Sequence, residues 1–211
     1  MTTTQQPITL YTNPFSRGRI ARWMLEELGV DYQEQIMEYG GSIKSPEYLN
    51  INPMGKVPAL VHGDTVVTEV AAICAYLADQ FPDKGLAPAV NSPERAAYYR
   101  WLFFVAGPLE MAMNAIVFDW EINQERAQSI GCGLVSDVFR TLEQLLADKP
   151  YVCGDSFTAA DLLLSSMLGW HIAQKQIEPK PVFVEYVERA QSRPAAKRAD
   201  QIDNELAANV A

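Results

Sequence analysis

A proline-rich segment, residues 82–93 (PDKGLAPAVNSP), separates two parts of the chain that differ in hydrophobic pattern. Before it, short apolar runs typical of strands alternate with stretches of helical periodicity, whereas the part after it is helical almost throughout. Three prolines and a glycine within this segment are typical of a linker between domains. The pattern therefore predicts an α/β domain over residues 1–82, a linker over 83–93 and an all-helical domain over 94–211.

The first part carries the signals of a mixed α/β unit. Ser16 is predicted to be the N-cap of the first helix, and Gly29 ends that helix. The residues His62 to Thr65 are predicted to form the loop of a hairpin. The predicted elements are a strand over 8–11, a helix over 16–28, strands over 32–37, 58–61 and 66–67, and a helix over 69–81, with one helical turn in the loop before the hairpin.

The second part is predicted to consist of helices over 94–118, 124–147, 158–173 and 182–191, followed by a polar, alanine-rich tail that is also helical. Thr158 and Asp161 have the spacing of a capping box, with Asp in place of the usual Glu or Gln. We interpret this pair as a folding element and not as a catalytic one.

The charge balance limits the classes of partner. The chain has 17 Lys and Arg against 26 Asp and Glu, a net charge of −9. Proteins that wrap nucleic acid or coat an anionic membrane need a cationic surface, so neither class of partner is expected. Any anion that this protein handles must be held by a few local positive groups.

The cysteines, histidines and apolar runs indicate no metal site and no membrane anchor. The three cysteines and two histidines do not occur at metal-ligand spacing, so no metal is expected. The longest apolar run, Val70–Ala78, has nine residues, whereas a bilayer span needs about 20. Residues 1–7 lack the basic and apolar regions of a signal peptide, so we expect reduced thiols and a cytoplasmic protein.

The segment Asn13 to Arg19 is the first with chemical interest. Arg17, Arg19 and Arg22 crowd the first two turns of the predicted helix, where the helix dipole favours negative groups. One explanation is an anionic ligand held by backbone N–H groups, the dipole and an arginine together. The alternative is a solvated basic face that pairs with acidic residues of the same protein.

Two further segments could hold a small zwitterionic peptide. Residues 52–60 (NPMGKVPAL) place a Val57–Pro58 bond at the start of a strand, and a cis bond there would turn the Val57 amide and carbonyl outward to pair with a peptide backbone. Glu69 precedes the helix over 69–81, where it could bind an amine while nearby N–H groups bind a carboxylate. A favourable charge at a helix end is the structural alternative for Glu69.

The joint spacing of residues 52–60, 68–82 and 154–161 resembles the glutathione S-transferase family over nearly the whole chain. The resemblance implies a thioredoxin-like N-terminal domain, an all-helical C-terminal domain and a homodimer. It also implies that glutathione is the co-substrate and that its binding positions are Lys56, Val57, Pro58 as a cis-proline, Glu69 and Val70. The family often has Ser where this chain has Val70. The resemblance also implies that Tyr99, Phe103, Met111 and Ala115 line an electrophile pocket, whereas their periodicity alone favours core positions.

The residue that activates the thiol differs between classes of this family. Alignment on residues 25–29 (LEELG) places the position used by bacterial classes at 15–17, so Ser16 is our catalytic candidate, and Arg17 beside it is a further predicted glutathione-binding residue. Tyr11, at the end of the first strand, is the tyrosine-class alternative, and activation by the backbone or by Arg17 is the third. The absence of a cysteine before Cys74 disfavours the cysteine-type classes.

The hypothesis is therefore a detoxifying glutathione transferase that conjugates the glutathione thiolate to a small hydrophobic electrophile. One alternative is a non-catalytic binding or regulatory protein on the same scaffold, which Val70 favours mildly. The other is a glutathione-dependent disulfide reductase or peroxidase, because those activities use the same thiolate.

Overall fold

The computed structural model describes residues 6–210, which form two compact units. The first unit comprises the described residues up to Lys84 together with those from Arg193 onward, and the second comprises Gly85–Ser192. The division predicted from the sequence placed the tail in the helical domain, whereas its contacts place it in the first unit. The prediction about a signal peptide falls mainly on residues 1–5, which lie outside the described residues.

The first unit is built on a four-stranded mixed sheet. Its strands are β1 (Ile8–Thr12), β2 (Gln33–Ile36), β3 (Ala59–His62) and β4 (Thr65–Thr68), in the order β2-β1-β3-β4. β1 is parallel to β2 and antiparallel to β3, and β3 is antiparallel to β4. The predicted hairpin is confirmed, and Gly63 in its two-residue loop has a φ of 57°. The predicted order of strands and helices in this unit is confirmed as well.

Four α-helices accompany the sheet: α1 (Gly18–Leu28), α2 (Pro46–Ile51), α3 (Val70–Gln80) and α10 (Pro194–Val210), with 3-10 turns at Ser42–Lys44 and Pro82–Lys84. Gly29 ends α1 in a left-handed conformation, with a φ of 61°, and donates its N–H to the carbonyl of Leu25. Buried residues in β1 alternate with half-buried ones, since successive side chains of a strand point to opposite faces. This alternation decides which side chains at the end of β1 face α1.

The second unit is helical throughout its regular structure. Its helices are α4 (Glu94–Phe104), α5 (Glu110–Val117), α6 (Gln124–Ala127), α7 (Val135–Asp148), α8 (Ala159–Ala173) and α9 (Pro181–Gln191). A π-helical turn, Val105–Leu109, joins α4 to α5 and contains Pro108. Because proline lacks a backbone N–H, the regular α-helical hydrogen-bond pattern cannot continue through it.

Two of the predicted helices of this unit differ from the structure. The single helix predicted over 94–118 is interrupted by the π turn. The helix predicted over 124–147 is wrong as one element, because the chain leaves helical geometry between α6 and α7. Gly131 and Gly133 lie in this interval, and Gly133 has a φ of 65°.

The capping box at the start of α8 is confirmed. The Asp161 carboxylate is fully buried and accepts hydrogen bonds from the backbone N–H and hydroxyl of Thr158 at 2.9 and 2.8 Å. It also accepts from the Val152 N–H at 2.8 Å and the Tyr186 hydroxyl at 2.9 Å. The Thr158 contacts cap α8, the Val152 contact ties it to the preceding loop and the Tyr186 contact ties it to α9, so the role of Asp161 is structural.

In the part of the chain that the structure describes, no helix combines the length and the apolar character that a membrane crossing requires. Residues 6–210 also contain no group of three or more His, Cys, Asp or Glu side chains arranged to hold a metal ion.

Candidate functional site

Three segments of the first unit meet at one edge of the sheet. Tyr11 of β1 pairs with Ala59 of β3, and Ala59 pairs in turn with Thr68 of β4. Because neighbouring strands lie about 4.8 Å apart, the ends of β1 and β4 are separated by only about 10 Å. The register therefore brings together the turn that follows β1, the residues that precede β3 and the residues that follow β4. These segments contain the predicted glutathione-binding residues of this unit.

Asn13 shapes the turn between β1 and α1. It is buried, its Nδ2 donates to the Met37 carbonyl at 2.7 Å, and its Oδ1 accepts from the Phe15 N–H at 2.9 Å. The Met37 N–H in turn donates to the Thr12 carbonyl at 2.7 Å. The Asn-Pro pair directly after a strand indicates this turn in the sequence, but the sequence did not predict that the Asn13 side chain holds the turn to Met37.

Ser16 lies in the middle of this turn and is half-buried. Its hydroxyl donates to the Asn13 carbonyl at 2.7 Å and accepts from the Gly18 N–H at 2.9 Å. The N-cap of α1 is Arg17, so the sequence prediction placed the cap one residue too early. The Ser16 oxygen nevertheless satisfies the N–H of the first helical residue.

Gly18 is required at the start of α1 by close packing. A Cβ atom built on Gly18 would lie 1.9 Å from Oγ1 of Thr12 and 2.9 Å from Oγ of Ser16. Thr12 is fully buried, and its hydroxyl has no hydrogen-bond partner among the described residues. Any larger residue at position 18 would displace the Ser16 hydroxyl or the end of β1.

The backbone donors of the turn are largely occupied. Hydrogen bonds within the turn or the first helical residues already use the N–H groups of Phe15, Ser16, Gly18, Arg19 and Ile20. A hydroxyl can rotate its proton towards a new acceptor, whereas a backbone N–H is fixed in direction. Compared with these backbone N–H groups, the Ser16 hydroxyl is therefore better able to donate a hydrogen bond to a ligand.

Tyr11 points to the other face of the sheet. Thr12 packs against Gly18 of α1, so the preceding side chain of the strand faces away from α1. The Tyr11 ring lies 5.5 Å from the ring of Tyr48 and packs against a buried cluster that includes Met37 and Ile43. The structure thus separates Tyr11 from the Ser16 turn, and Arg17 stays within that turn as an exposed residue.

The loop that precedes β3 is held by a side chain of α2 and by one of its own. The Lys56 carbonyl accepts from the Tyr48 hydroxyl at 2.5 Å and from Asn52 Nδ2 at 2.8 Å, and Lys56 itself is exposed. The Val57–Pro58 peptide bond is cis, as the resemblance implies. Neither the N–H nor the carbonyl of Val57 has a hydrogen-bond partner among residues 6–210.

Glu69 follows β4 and directly precedes α3. It is exposed and has a φ of 66° and a ψ of 118°, a conformation that a residue with a side chain rarely adopts. Such backbone strain occurs preferentially at functional sites, where the surrounding structure enforces it. Val70 is the first residue of α3 and is half-buried.

The predicted electrophile-pocket residues belong to the second unit. Phe103 is 71% exposed, Tyr99 43% and Met111 38%, so α4 and α5 carry three exposed large apolar side chains. Ala115 is buried in the helical core. The Arg95 guanidinium lies 4.8 Å from the centre of the Tyr99 ring and so supports that ring from within the same helix.

The three cysteines lie outside this arrangement. Burial raises the pKa of the Cys74 thiol to about 12 and that of the Cys153 thiol to about 11. Burial also raises the pKa of Cys132. Thiols with raised pKa values carry little thiolate near neutral pH, so none of the three has the character of a nucleophile.

Comparison with known proteins defines the class to which this fold and site belong. Residues 6–79 match the family model described as glutathione S-transferase, N-terminal domain, and residues 124–171 match that of the C-terminal domain. The chain belongs to the glutathione S-transferase family. The predicted thioredoxin-like N-terminal domain and helical C-terminal domain are thereby confirmed.

Individual relatives extend this assignment. Glutathione S-transferase GstA of Escherichia coli O157:H7 is 31% identical over 174 residues, which cover 82% of this chain and 83% of that protein. Disulfide-bond oxidoreductase YfcG of Escherichia coli is 28% identical over 207 residues, covering 91% of this chain and 94% of that protein. A sphingomonad glutathione S-transferase solved in complex with glutathione superposes with a TM-score of 0.75 at 28% identity, covering 93% of this chain and 98% of its own.

Proposed function

We propose that this protein is a glutathione transferase in which the Ser16 hydroxyl stabilises the thiolate of bound glutathione. The observation that carries the proposal is the Ser16 turn, which lies at the start of α1 on the same sheet edge as Lys56 and Glu69. The family membership and the sphingomonad complex with glutathione support glutathione as the ligand.

Glutathione has a peptide backbone, two carboxylates, an amine and a thiol, and the edge offers a partner for each. The unpartnered N–H and carbonyl of Val57 pair with the cysteinyl backbone, as an added strand would. The γ-glutamyl end lies at the start of α3, where Glu69 binds its amine and the Val70 N–H binds its carboxylate. Lys56 and Arg17 supply positive charge to the carboxylates.

When glutathione binds, its thiol proton is lost to solvent, and the Ser16 hydroxyl keeps its own proton but redirects its hydrogen bond from the Asn13 carbonyl to the thiolate sulfur. A hydrogen bond to a charged acceptor is roughly twice as strong as one between neutral groups, so the hydroxyl favours the thiolate once glutathione is bound. The macrodipole of α1 acts in the same direction. The thiolate attacks an electrophilic carbon, an S–C bond forms, and the leaving group departs with the bonding electron pair.

The electrophile is proposed to be small and hydrophobic. The exposed side chains of Tyr99, Phe103 and Met111 would bind it, with Ala115 as the further predicted residue of that pocket, although Ala115 is buried. A homodimer, a cytoplasmic location and a role in detoxification complete the proposal.

A glutathione-dependent disulfide reductase is the second candidate, and the relative named as a disulfide-bond oxidoreductase favours it. The same thiolate would attack a disulfide sulfur and release a thiolate in place of a carbon-bound leaving group. A non-catalytic glutathione-binding protein is the third. It is favoured by Val70, which offers no hydroxyl at the position where the family often has serine.

A retention and turnover experiment separates the three. The protein is applied to glutathione-agarose, eluted with free glutathione, and assayed with a chlorinated nitroaromatic electrophile and, separately, with a small disulfide. We expect retention and conjugation. Retention with disulfide reduction alone would support the second candidate, and retention with no turnover the third. Absence of retention would contradict glutathione binding.

A further inference from the structure

The C-terminal helix α10 makes direct contact with the Ser16 turn through one side chain. Arg19, in the first turn of α1, donates from Nη1 to the Pro14 carbonyl at 3.2 Å. Its Nη2 donates to Oδ1 of Asp200 and Oδ1 of Asn204, both at 2.6 Å and both on α10. One guanidinium group therefore joins the turn that carries Ser16 to a helix about 180 residues away in sequence.

The acceptors on α10 form a prearranged pair. Asp200 and Asn204 are four residues apart and so lie on the same face of the helix. Asn204 Nδ2 donates to Oδ2 of Asp200 at 3.0 Å, which leaves Oδ1 of both side chains directed at Arg19. The Asp200 side chain is 65% exposed and that of Arg19 is 27% exposed. An ion pair this accessible to solvent contributes little to the stability of the fold.

Other contacts hold α10 on α1 without reaching the turn. The buried Arg22 bonds to Asp203 at 2.9 Å, and Arg198 bonds to Glu26 at 3.2 Å. Arg193, directly before α10, binds Glu27 with both ends of its guanidinium at 2.7 Å. These pairs dock the helix, so loss of the Asp200 and Asn204 contacts would leave α10 in place and release only the Arg19 side chain.

We propose that Arg19 is a positioning residue, and that α10, through Asp200 and Asn204, orients the Ser16 turn for thiol activation. Pro14 lies between the buried Asn13, whose side chain holds the turn in place, and the turn residues Phe15 and Ser16. Fixing its carbonyl therefore limits rotation of the turn about Asn13. This proposal rests on the role proposed for Ser16, and it adds the C-terminal helix to the residues that determine reactivity.

Positioning and direct electrostatics predict opposite results for one variant. If Arg19 acts by its charge, removing the Asp200 carboxylate leaves that charge less compensated and lowers the pKa of the bound thiol. If Arg19 acts by position, the same change loosens the turn and raises that pKa. The double variant Asp200→Ala, Asn204→Ala is therefore the test, and Arg198→Ala is the matched control because it removes a contact between the same two helices.

The pKa of bound glutathione is measured from the ultraviolet absorbance of the thiolate against pH, in the wild type, the double variant, Arg19→Met and Arg198→Ala. At pH values below the pKa of bound glutathione, we expect the fraction present as thiolate to be about three- to tenfold lower in the double variant and in Arg19→Met than in the wild type. We expect Arg198→Ala to match the wild type, and Arg19→Met combined with the double variant to be no worse than Arg19→Met alone. A lowered pKa in the double variant, or no change, overturns the proposal.

Amide hydrogen exchange of residues 15–18 provides a readout that does not depend on thiol chemistry. Exchange in the double variant should exceed that in the wild type and in Arg198→Ala. If wild-type protein binds no glutathione, the proposed function fails while faster exchange in this turn still supports the positioning role. Unchanged exchange contradicts positioning whatever the outcome with glutathione.

Discussion

Replacing Ser16 with alanine tests the chemistry at a single hydrogen bond. In the free protein the hydroxyl donates to the Asn13 carbonyl, so binding of a thiolate exchanges a neutral hydrogen bond for a charged one. A neutral bond contributes about 1 kcal/mol and a bond to a charged group about 1.5–3 kcal/mol, which leaves a net stabilisation of about 0.5–2 kcal/mol. A tenfold change corresponds to about 1.4 kcal/mol. At pH values below the pKa of the bound thiol, the fraction of thiolate should therefore fall roughly 2- to 30-fold in Ser16→Ala.

The same substitution should also lower stability by a small amount. The Ser16 oxygen accepts from the Gly18 N–H, so its loss resembles loss of a helix cap and should lower the free energy of unfolding by about 0.5–2 kcal/mol. Urea unfolding measures this change. The thiol chemistry is then compared under conditions in which the variant is fully folded.

The assay is a pH titration of the thiolate absorbance of bound glutathione, together with turnover of the electrophile at fixed pH. Ser166→Ala is the matched control, because it removes a helical serine hydroxyl that donates to the Leu162 carbonyl at 2.8 Å in the other unit. We expect the control to keep the wild-type pKa. A wild-type pKa in folded, glutathione-saturated Ser16→Ala would refute the reasoning and shift the role to Tyr11, Arg17 or the backbone.

Three further predictions concern charge, the buried ion pair and the thiols. Lys56→Met should weaken glutathione binding roughly 1.5- to 5-fold, because one exposed charge contributes about 0.2–1 kcal/mol, and the loss should be smaller at high salt. Calorimetry at two ionic strengths measures this, and an equal loss of affinity at both would contradict the prediction. Arg22→Met should destabilise the fold by about 3–5 kcal/mol, since it leaves the Asp203 carboxylate buried without its partner, and adding Asp203→Leu should recover much of the loss in urea unfolding. At pH 8 the raised pKa values of Cys74 and Cys153 keep these thiols protonated, so iodoacetamide should modify them only after unfolding, and mass spectrometry showing rapid native labelling would count against that burial.

Local chemistry in the sequence was enough to predict much of the sheet and its edges. The hairpin at Gly63, the capping box of Thr158 and Asp161 and the order of elements in the first unit depend on residues close together in sequence. Such features follow from turn and cap preferences that short segments carry by themselves. The resemblance added the cis bond at Pro58, which the letters alone do not specify.

The features that were missed depend on distant partners or on backbone detail. The residues near Asn13 in the sequence do not indicate that its side-chain amide will donate to the carbonyl of Met37, which follows the neighbouring strand β2. The basic residues of α1 fit either a ligand site or acidic partners, and the structure pairs Arg19 and Arg22 with α10. Likewise, Pro108 within a helical pattern indicates a break, but the π turn that accommodates it depends on the packing around it. The proposed site residues themselves converge because of strand register, which periodicity does not provide.

A crystal structure of the protein with bound glutathione would test the central claim most directly. The account predicts that the glutathione sulfur lies within hydrogen-bond distance of Ser16 Oγ. It also predicts that the cysteinyl backbone of glutathione pairs with Val57. A sulfur that lies beside the Tyr11 hydroxyl or a backbone N–H, and out of reach of Ser16, would contradict the account.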